Sequence, residues 1–210
     1  MSDCCSDTAC EIEKMQDRQR GTLRAVLAIN LVMFAVEFTA GILAGSTALM
    51  ADSLDMLGDA LVYLFSLYVV ARSDAWKAGS AFVKGGIMAA SGLFVLGQAG
   101  YKVLHPEVPH FETIGLIGLL ALAANGVCLA LLWRHRGEDV NMRSVWLCSR
   151  NDIIANVSVL VAAVGVWWAG SQWPDLVVGL GIALLFLRSS VHVFTDASRT
   201  YREHRDGGDG

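Results

Sequence analysis

The chain has 210 residues, 54 % of them hydrophobic and only 17 % charged, where soluble domains carry roughly 25 % charged residues. Mean hydropathy is +0.49. Together these exclude a disordered chain, a collagen-like fibre and a disulfide scaffold, and a net charge of −4 leaves no basic footprint for nucleic acid. What remains is an all-α polytopic membrane protein.

Residues 1–20 form a polar, acid-containing segment with three of the five cysteines, Cys4, Cys5 and Cys10. No signal peptide is expected, because the first apolar run is long and acids precede it. A bilayer core of about 30 Å needs about 20 helical residues, and six stretches qualify: 25–45, 46–71, 85–101, 113–133, 144–173 and 174–196. Pro106, Pro109 and Pro174 fall between spans or at a span start, where proline is tolerated. The glycines at 41 and 45 predict a very tight turn between the first two spans. The expected organisation is a cytoplasmic tail (1–20), a six-helix transmembrane transport domain (21–199) and a short polar C-terminal tail (200–210).

Lysine and arginine orient this bundle. With six spans both termini share one side, together with the loops near 72–84 and 134–143. Thirteen of the sixteen basic residues fall on that side; Lys102 alone falls opposite, and Arg150 and Arg188 lie within spans. The positive-inside rule makes that side, and both termini, cytoplasmic. The compartment is reducing, so Cys4, Cys5 and Cys10 are expected as thiols.

The second span carries Asp52, Asp55 and Asp59. An Asp at mid-membrane costs about 2.5–3.5 kcal/mol, so three facing lipid would cost roughly 8–10 kcal/mol. They must face a polar cavity, a partner or an ion. At 100° per residue all three lie on a stripe of about 60°, and Asp55 and Asp59, four apart, aim at one point. Two close carboxylates repel unless a proton or cation lies between them. In the fifth span Cys148 and Asp152 repeat the four-residue spacing, and Asn156 continues the stripe. If spans two and five face each other, three carboxylates and a thiolate form a compact quartet suited to tetrahedral zinc, and the sulfur favours zinc or cadmium over magnesium or calcium.

Other polar residues read more plainly. Asp52 is balanced between an accessory ligand and an interhelical hydrogen-bond acceptor, and Asn156 is a further accessory candidate. Glu37 is expected to pair with a polar group of the bundle, Arg150 or Arg188. Cys128 reads as packing, and Asn30, Gln98 and Asn125 as interhelical hydrogen-bonders. His105, Glu107 and His110 read as a solvated loop, and Trp146, Trp167, Trp168 and Trp173 as interfacial or packing residues. Cys4, Cys5 and Cys10 are either a capture site for soft metal or incidental thiols.

The stretch from Gly45 to Asp59, with its small-residue turn, early Asp52, and Asp55 and Asp59 four apart, resembles the second span of cation diffusion facilitator transporters. The stretch 103–107, with His105, Pro106 and Glu107, is similar to that family's exit from the third span. The stretch 147–163 resembles its fifth span, with Cys148 and Asp152 at the two ligand positions. The resemblance covers roughly residues 22–200 and implies a homodimeric divalent-cation/proton antiporter that exports zinc-like metals. It departs from the family at three points. Only a short polar stretch follows Arg199 where members continue into a cytoplasmic metal-binding domain, so a short form is expected. Cys148 stands where a histidine is usual. Lys84, Gly85 and Gly86 replace the acid often found near the start of the third span.

The expected activity is therefore zinc or cadmium efflux in exchange for protons, in a bacterial inner membrane, with no prosthetic group and no catalytic residues. A membrane phosphotransferase also uses several metal-binding Asp. It needs a Gly after an Asp and a nearby Ala-Arg, whereas Met56 follows Asp55 and no Arg occurs over 47–71. A non-transporting metal-sensing subunit is the third reading.

Overall fold

A computed structural model describes the backbone of residues 4–69, 74–133 and 140–206, and the side chains of residues 20–61, 63, 64, 85–133, 152–191 and 195. All regular structure among them is helical: α1 (Cys4–Ala44), α2 (Thr47–Val69), α3 (Asp74–Leu104), α4 (Phe111–Trp133), α5 (Val140–Ala169) and α6 (Trp173–Asp206). Five contain segments long and apolar enough to cross a membrane: Arg20–Ala44, Gly85–Leu104, Phe111–Trp133, Asp152–Ala169 and Trp173–Val191. The sixth, α2, has 23 residues, about 34 Å at 1.5 Å per residue, but its apolar run is broken by Asp52, Asp55 and Asp59.

The helices expose their apolar sides and bury their polar ones. Leu43, Leu116, Val161, Val164, Leu184 and Leu185 are exposed, while Asn30, Glu37, Asp52, Asn125 and Asn156 are buried. In water this distribution would present a prohibitive apolar surface; in lipid it is the expected one. Each seam is narrow. On α1 the buried positions are 23, 26, 30, 33, 37, 41 and 44, and on α4 they are 114, 118, 121, 125, 128 and 132. Steps of three and four mark one stripe per helix, the pattern of helices packed side by side.

Helix α2 is the hub, packing against α1, α3, α5 and α6, while α3–α6, α4–α5, α1–α4 and α5–α6 contacts close the bundle. Small residues let it do so. A Cβ on Gly179 of α6 would meet Thr47 Cγ2 at 2.8 Å and the Thr47–Ala48 backbone at 3.0–3.1 Å, and one on Gly41 of α1 would meet Met50 Cγ at 2.8 Å. A core of Ala44, Ala48, Leu49, Ala51, Val95, Val159, Ala163 and Phe186 fills the end of the bundle near the α1–α2 turn. Toward the other end Met33, Met56 and Ala121 pack together, followed by Leu23, Val26, Tyr63, Cys128 and Leu132.

The α1–α2 turn is as tight as expected. Gly45 has φ +62°, and Ser46 N–H donates to Gly41 O (2.9 Å) and Gly45 N–H to Ile42 O (3.2 Å), the Schellman pattern that requires a left-handed residue. Ser46 then caps α2, its Oγ accepting from Leu49 N–H at 3.0 Å. The remaining orphan donors of the first turn are met from α6. The Asp175 carboxylate accepts from Ser46 Oγ (2.5 Å), Thr47 N–H (2.7 Å) and Ala48 N–H (3.2 Å). Lys102 of α3 pairs with Asp175 at 3.8 Å and donates to Gly45 O. Gln172 donates to Lys102 O and accepts from Glu107 N–H, both at 3.2 Å. This end of the bundle is thus closed by a buried polar plug that joins the α1–α2 turn, α3 and α6.

Two predictions follow from this packing. Asp175→Ala strands Lys102 and uncaps α2, so it should destabilise the detergent-solubilised protein by roughly 3–5 kcal/mol, the cost of breaking a buried pair, read as a fall in its thermal unfolding midpoint. Gly179→Ala, blocked by backbone, should cost about 1–3 kcal/mol by overpacking. Gly181→Ala, on the same helix with open space around it, should be neutral or stabilising by up to about 1 kcal/mol; equal losses at the two glycines would contradict the packing described.

Candidate metal centre

The three aspartates of α2 occupy one stripe but meet different neighbours. Asp59 is 8 % exposed and its Oδ2 accepts from the Tyr63 hydroxyl at 3.1 Å. It lies within electrostatic reach of Cys128 on α4, whose sulfur accepts from Asn30 Nδ2 at 3.9 Å. Asp55 is half-buried. Asp52, 1 % exposed, comes within hydrogen-bonding reach of Glu37 on α1. The stripe therefore runs from the α1–α2 seam near the Gly45 turn to the α1–α4 side deeper in the bundle.

The opposite half of the expected quartet lies on α5, which packs directly against α2. Asp152 is 8 % exposed and Asn156 fully buried. Asn156 Nδ2 donates to Asp152 O at 2.7 Å, leaving its Oδ1 without a donor. Cys148 stands one helical turn before Asp152 in α5, but its side chain lies outside the described residues. Among the described residues no three His, Cys, Asp or Glu side chains gather closely enough to hold a metal ion. The helices that carry Asp55, Asp59 and Asp152 are thus brought together, and the quartet that includes Cys148 remains an expectation. Cys4, Cys5 and Cys10 fall in the first turns of α1, and their side chains also lie outside the described residues.

Chemically, buried carboxylates on facing helices suit a divalent cation. Coordination requires them deprotonated, and in an apolar surround a charge without a counter-charge is costly.

Glu37 is expected to pair with a polar group of the bundle, and its described polar neighbour is an acid. Arg188 is exposed on α6, the side chain of Arg150 lies outside the described residues, and both Glu37 oxygens lack a hydrogen-bond donor. Its described neighbour is Asp52. The reason is register: Glu37 lies on the α1 stripe that packs on α2. Asp175 was legible only as a charge near the start of a span; nothing local showed that it caps another helix. Pro174 at the start of a span did mark the first turn of α6. Of the remaining polar residues, Asn30 does bond across helices to Cys128, which packs with Leu23, Val26, Tyr63 and Leu132. Asn125 is buried with its Nδ2 unpartnered. His105, Glu107 and His110 are exposed, as are Trp167, Trp168 and Trp173.

The model of the cation efflux transmembrane domain matches residues 23–200. The chain is 25 % identical over 208 residues to the "Cadmium, cobalt and zinc/H(+)-K(+) antiporter" of Bacillus velezensis, covering 89 % of this chain and 66 % of that protein. It is 25 % identical over 197 residues to "Zinc transporter ZitB" of Escherichia coli (87 % and 62 %), and 29 % identical over 199 residues to "Cation-efflux pump FieF" of Pectobacterium atrosepticum (84 % and 64 %). It spans two thirds or less of the length of these relatives. With a match over most of the chain and parts of all six helices, the protein belongs to the cation efflux transmembrane domain family.

Proposed function

We propose that the protein is a divalent-cation efflux transporter that exchanges zinc or cadmium for protons at a site between α2 and α5. The observation that carries this reading is the burial of acids on two helices in direct contact, Asp59 and Asp152 both 8 % exposed, in a bundle whose outer faces are apolar. Asp55 and Asp59 supply two carboxylates from α2, and Asp152 and Cys148 a carboxylate and a thiolate from α5. The proposed set matches the tetrahedral preference of zinc, and its sulfur extends the range to cadmium. The names of the relatives, which speak of zinc, cadmium and cobalt, support the same class of cargo.

The six helices are all proposed to span, with both termini in the cytoplasm on the evidence of the basic residues, in a bacterial inner membrane and as a homodimer. Metal entering from the cytoplasm displaces protons, because its ligands must ionise to bind. Rocking of the helices exposes the site to the other side, where protons return to the ligands and release the ion. The sign is fixed: a proton excess on the release side favours discharge there, and acidifying the cytoplasmic side opposes loading. The polar plug at Lys102 and Asp175 is the contact that opening toward that end must loosen. The cysteines at 4, 5 and 10 are proposed to deliver soft metal to the cytoplasmic mouth.

Everted membrane vesicles loaded with an acid interior test this. Wild-type protein should accumulate zinc and cadmium, and collapse of the pH gradient should abolish the accumulation. Asp59→Asn and Asp152→Asn should each reduce uptake to the level of empty vesicles while the protein still purifies as a helical, monodisperse species. Cys148→Ser should shift preference from cadmium toward zinc. Wild-type flux in both Asp variants would refute the site. Deleting residues 1–12 should raise the metal concentration needed for half-maximal uptake, and an unchanged value would remove the cysteines from the mechanism.

A further inference from the structure

The acid stripe of α2 ends on a tyrosine. Tyr63 follows Asp59 by four residues, one turn further along the helix, so the two side chains share a face. Tyr63 is fully buried and Asp59 nearly so. The tyrosine ring packs with Leu23 and Val26 of α1 and with Cys128 and Leu132 of α4, and its hydroxyl donates to Asp59 Oδ2 at 3.1 Å. Packing alone does not call for a hydroxyl here. A phenylalanine ring fills the same space and brings no polar atom into an apolar cluster, whereas a buried tyrosine needs a partner for its O–H. That partner is a carboxylate of the proposed α2–α5 site.

A carboxylate ligates a cation through one oxygen or through both. The last torsion of an aspartate side chain is soft, so an unheld carboxyl group turns to offer either arrangement. A hydrogen bond to Oδ2 fixes its plane, and a bond with an ionised acceptor is among the stronger ones. The ring that carries the donor is wedged between α1 and α4 and does not follow a turning carboxylate. Asp59 is therefore held with one oxygen toward the tyrosine. Binding through a single oxygen suits four-coordinate zinc, to which each side chain gives one atom; binding through both suits larger ions with more ligands.

We propose that Tyr63 is a positioning residue of the α2–α5 site, whose hydroxyl holds the Asp59 carboxylate to one-oxygen binding and so favours zinc over larger dications. This rests on the reading of Asp59 as a ligand of that site. Tyr63 acts through Asp59 and does not touch the ion. Hydrogen-bond partners of this kind orient the ligands they serve, and their removal lowers metal affinity by about 10–100-fold.

The test measures zinc and cadmium affinities of the purified full-length chain in nanodiscs, by equilibrium dialysis at one pH. Tyr63→Phe keeps the ring and removes the hydroxyl. It should weaken zinc binding by about 10–100-fold and cadmium binding by less, because the released carboxylate offers both oxygens to the larger ion. Tyr101→Phe, at an exposed tyrosine in the last turn of α3, should leave both affinities as they are. A hydroxyl that only satisfied its own ring would change the thermal unfolding midpoint and leave the ratio of zinc to cadmium affinity alone. A second measurement keeps the wild-type hydroxyl in place: meta-fluorotyrosine at position 63 should show a fluorine NMR shift on addition of zinc, and the shift should vanish in Asp59→Asn. An unchanged affinity ratio in folded Tyr63→Phe, or a fluorine signal that zinc does not move, overturns the proposal. Zinc binding that Asp59→Asn and Asp152→Asn abolish and Tyr63→Phe leaves intact sinks the role of Tyr63 and spares the site. Wild-type binding in both Asp variants sinks the site and this proposal with it.

Discussion

A carboxylate inside a bundle of apolar helices must be met by donors or by positive charge, and the buried acids of this protein divide according to whether the chain itself provides them. Asp175 is fully provided for. Two backbone N–H groups, the Ser46 hydroxyl and the Lys102 ammonium surround it, and the positive end of the α2 dipole reinforces them. It is therefore a structural acid, and it fixes where α2 begins relative to α6. Among the described residues Glu37 and Asp52 have no such company beyond each other. Their unpartnered oxygens, in a seam sealed from solvent, are the kind of polar group that native interiors otherwise avoid.

The position of α2 gives this contrast reach across the bundle. It packs on α1, α3, α5 and α6, so any cation held by its aspartates is felt by most of the bundle. Gly41 and Gly179 bring α1 and α6 so close that a methyl group would collide, which packs α2 and its neighbours into one tight unit. The plug around Asp175 holds one end of that unit. A carrier needs both features, a charged centre whose occupancy changes the electrostatic balance and a packed element that transmits the change.

The acids also explain why α2 escapes recognition as a membrane segment by apolarity alone. Its length suffices, and its Ala, Leu and Met residues pack in the core, but three charges in one helix lie outside what lipid tolerates. The same charges that obscure the span mark the candidate site. In a membrane protein the residues that weaken the local pattern are those with a functional reason to be present.

Much of this was readable along the chain. Six helices, the tight turn at Gly45, proline at the start of α6 and the acid stripe of α2 are local consequences of periodicity, backbone preference and the cost of charge in lipid, and each can be seen in a window of a few residues. The family is legible too, because the spacing of Asp55, Asp59, Cys148 and Asp152 is a short-range pattern. What lay beyond reach was pairing between helices. That Glu37 meets Asp52, and that Asp175 caps a helix 128 residues before it, depends on how far each helix is rotated and slid against the next. Those offsets are settled by glycine contacts and side-chain volumes distributed over the whole bundle, and no segment of the sequence carries them alone.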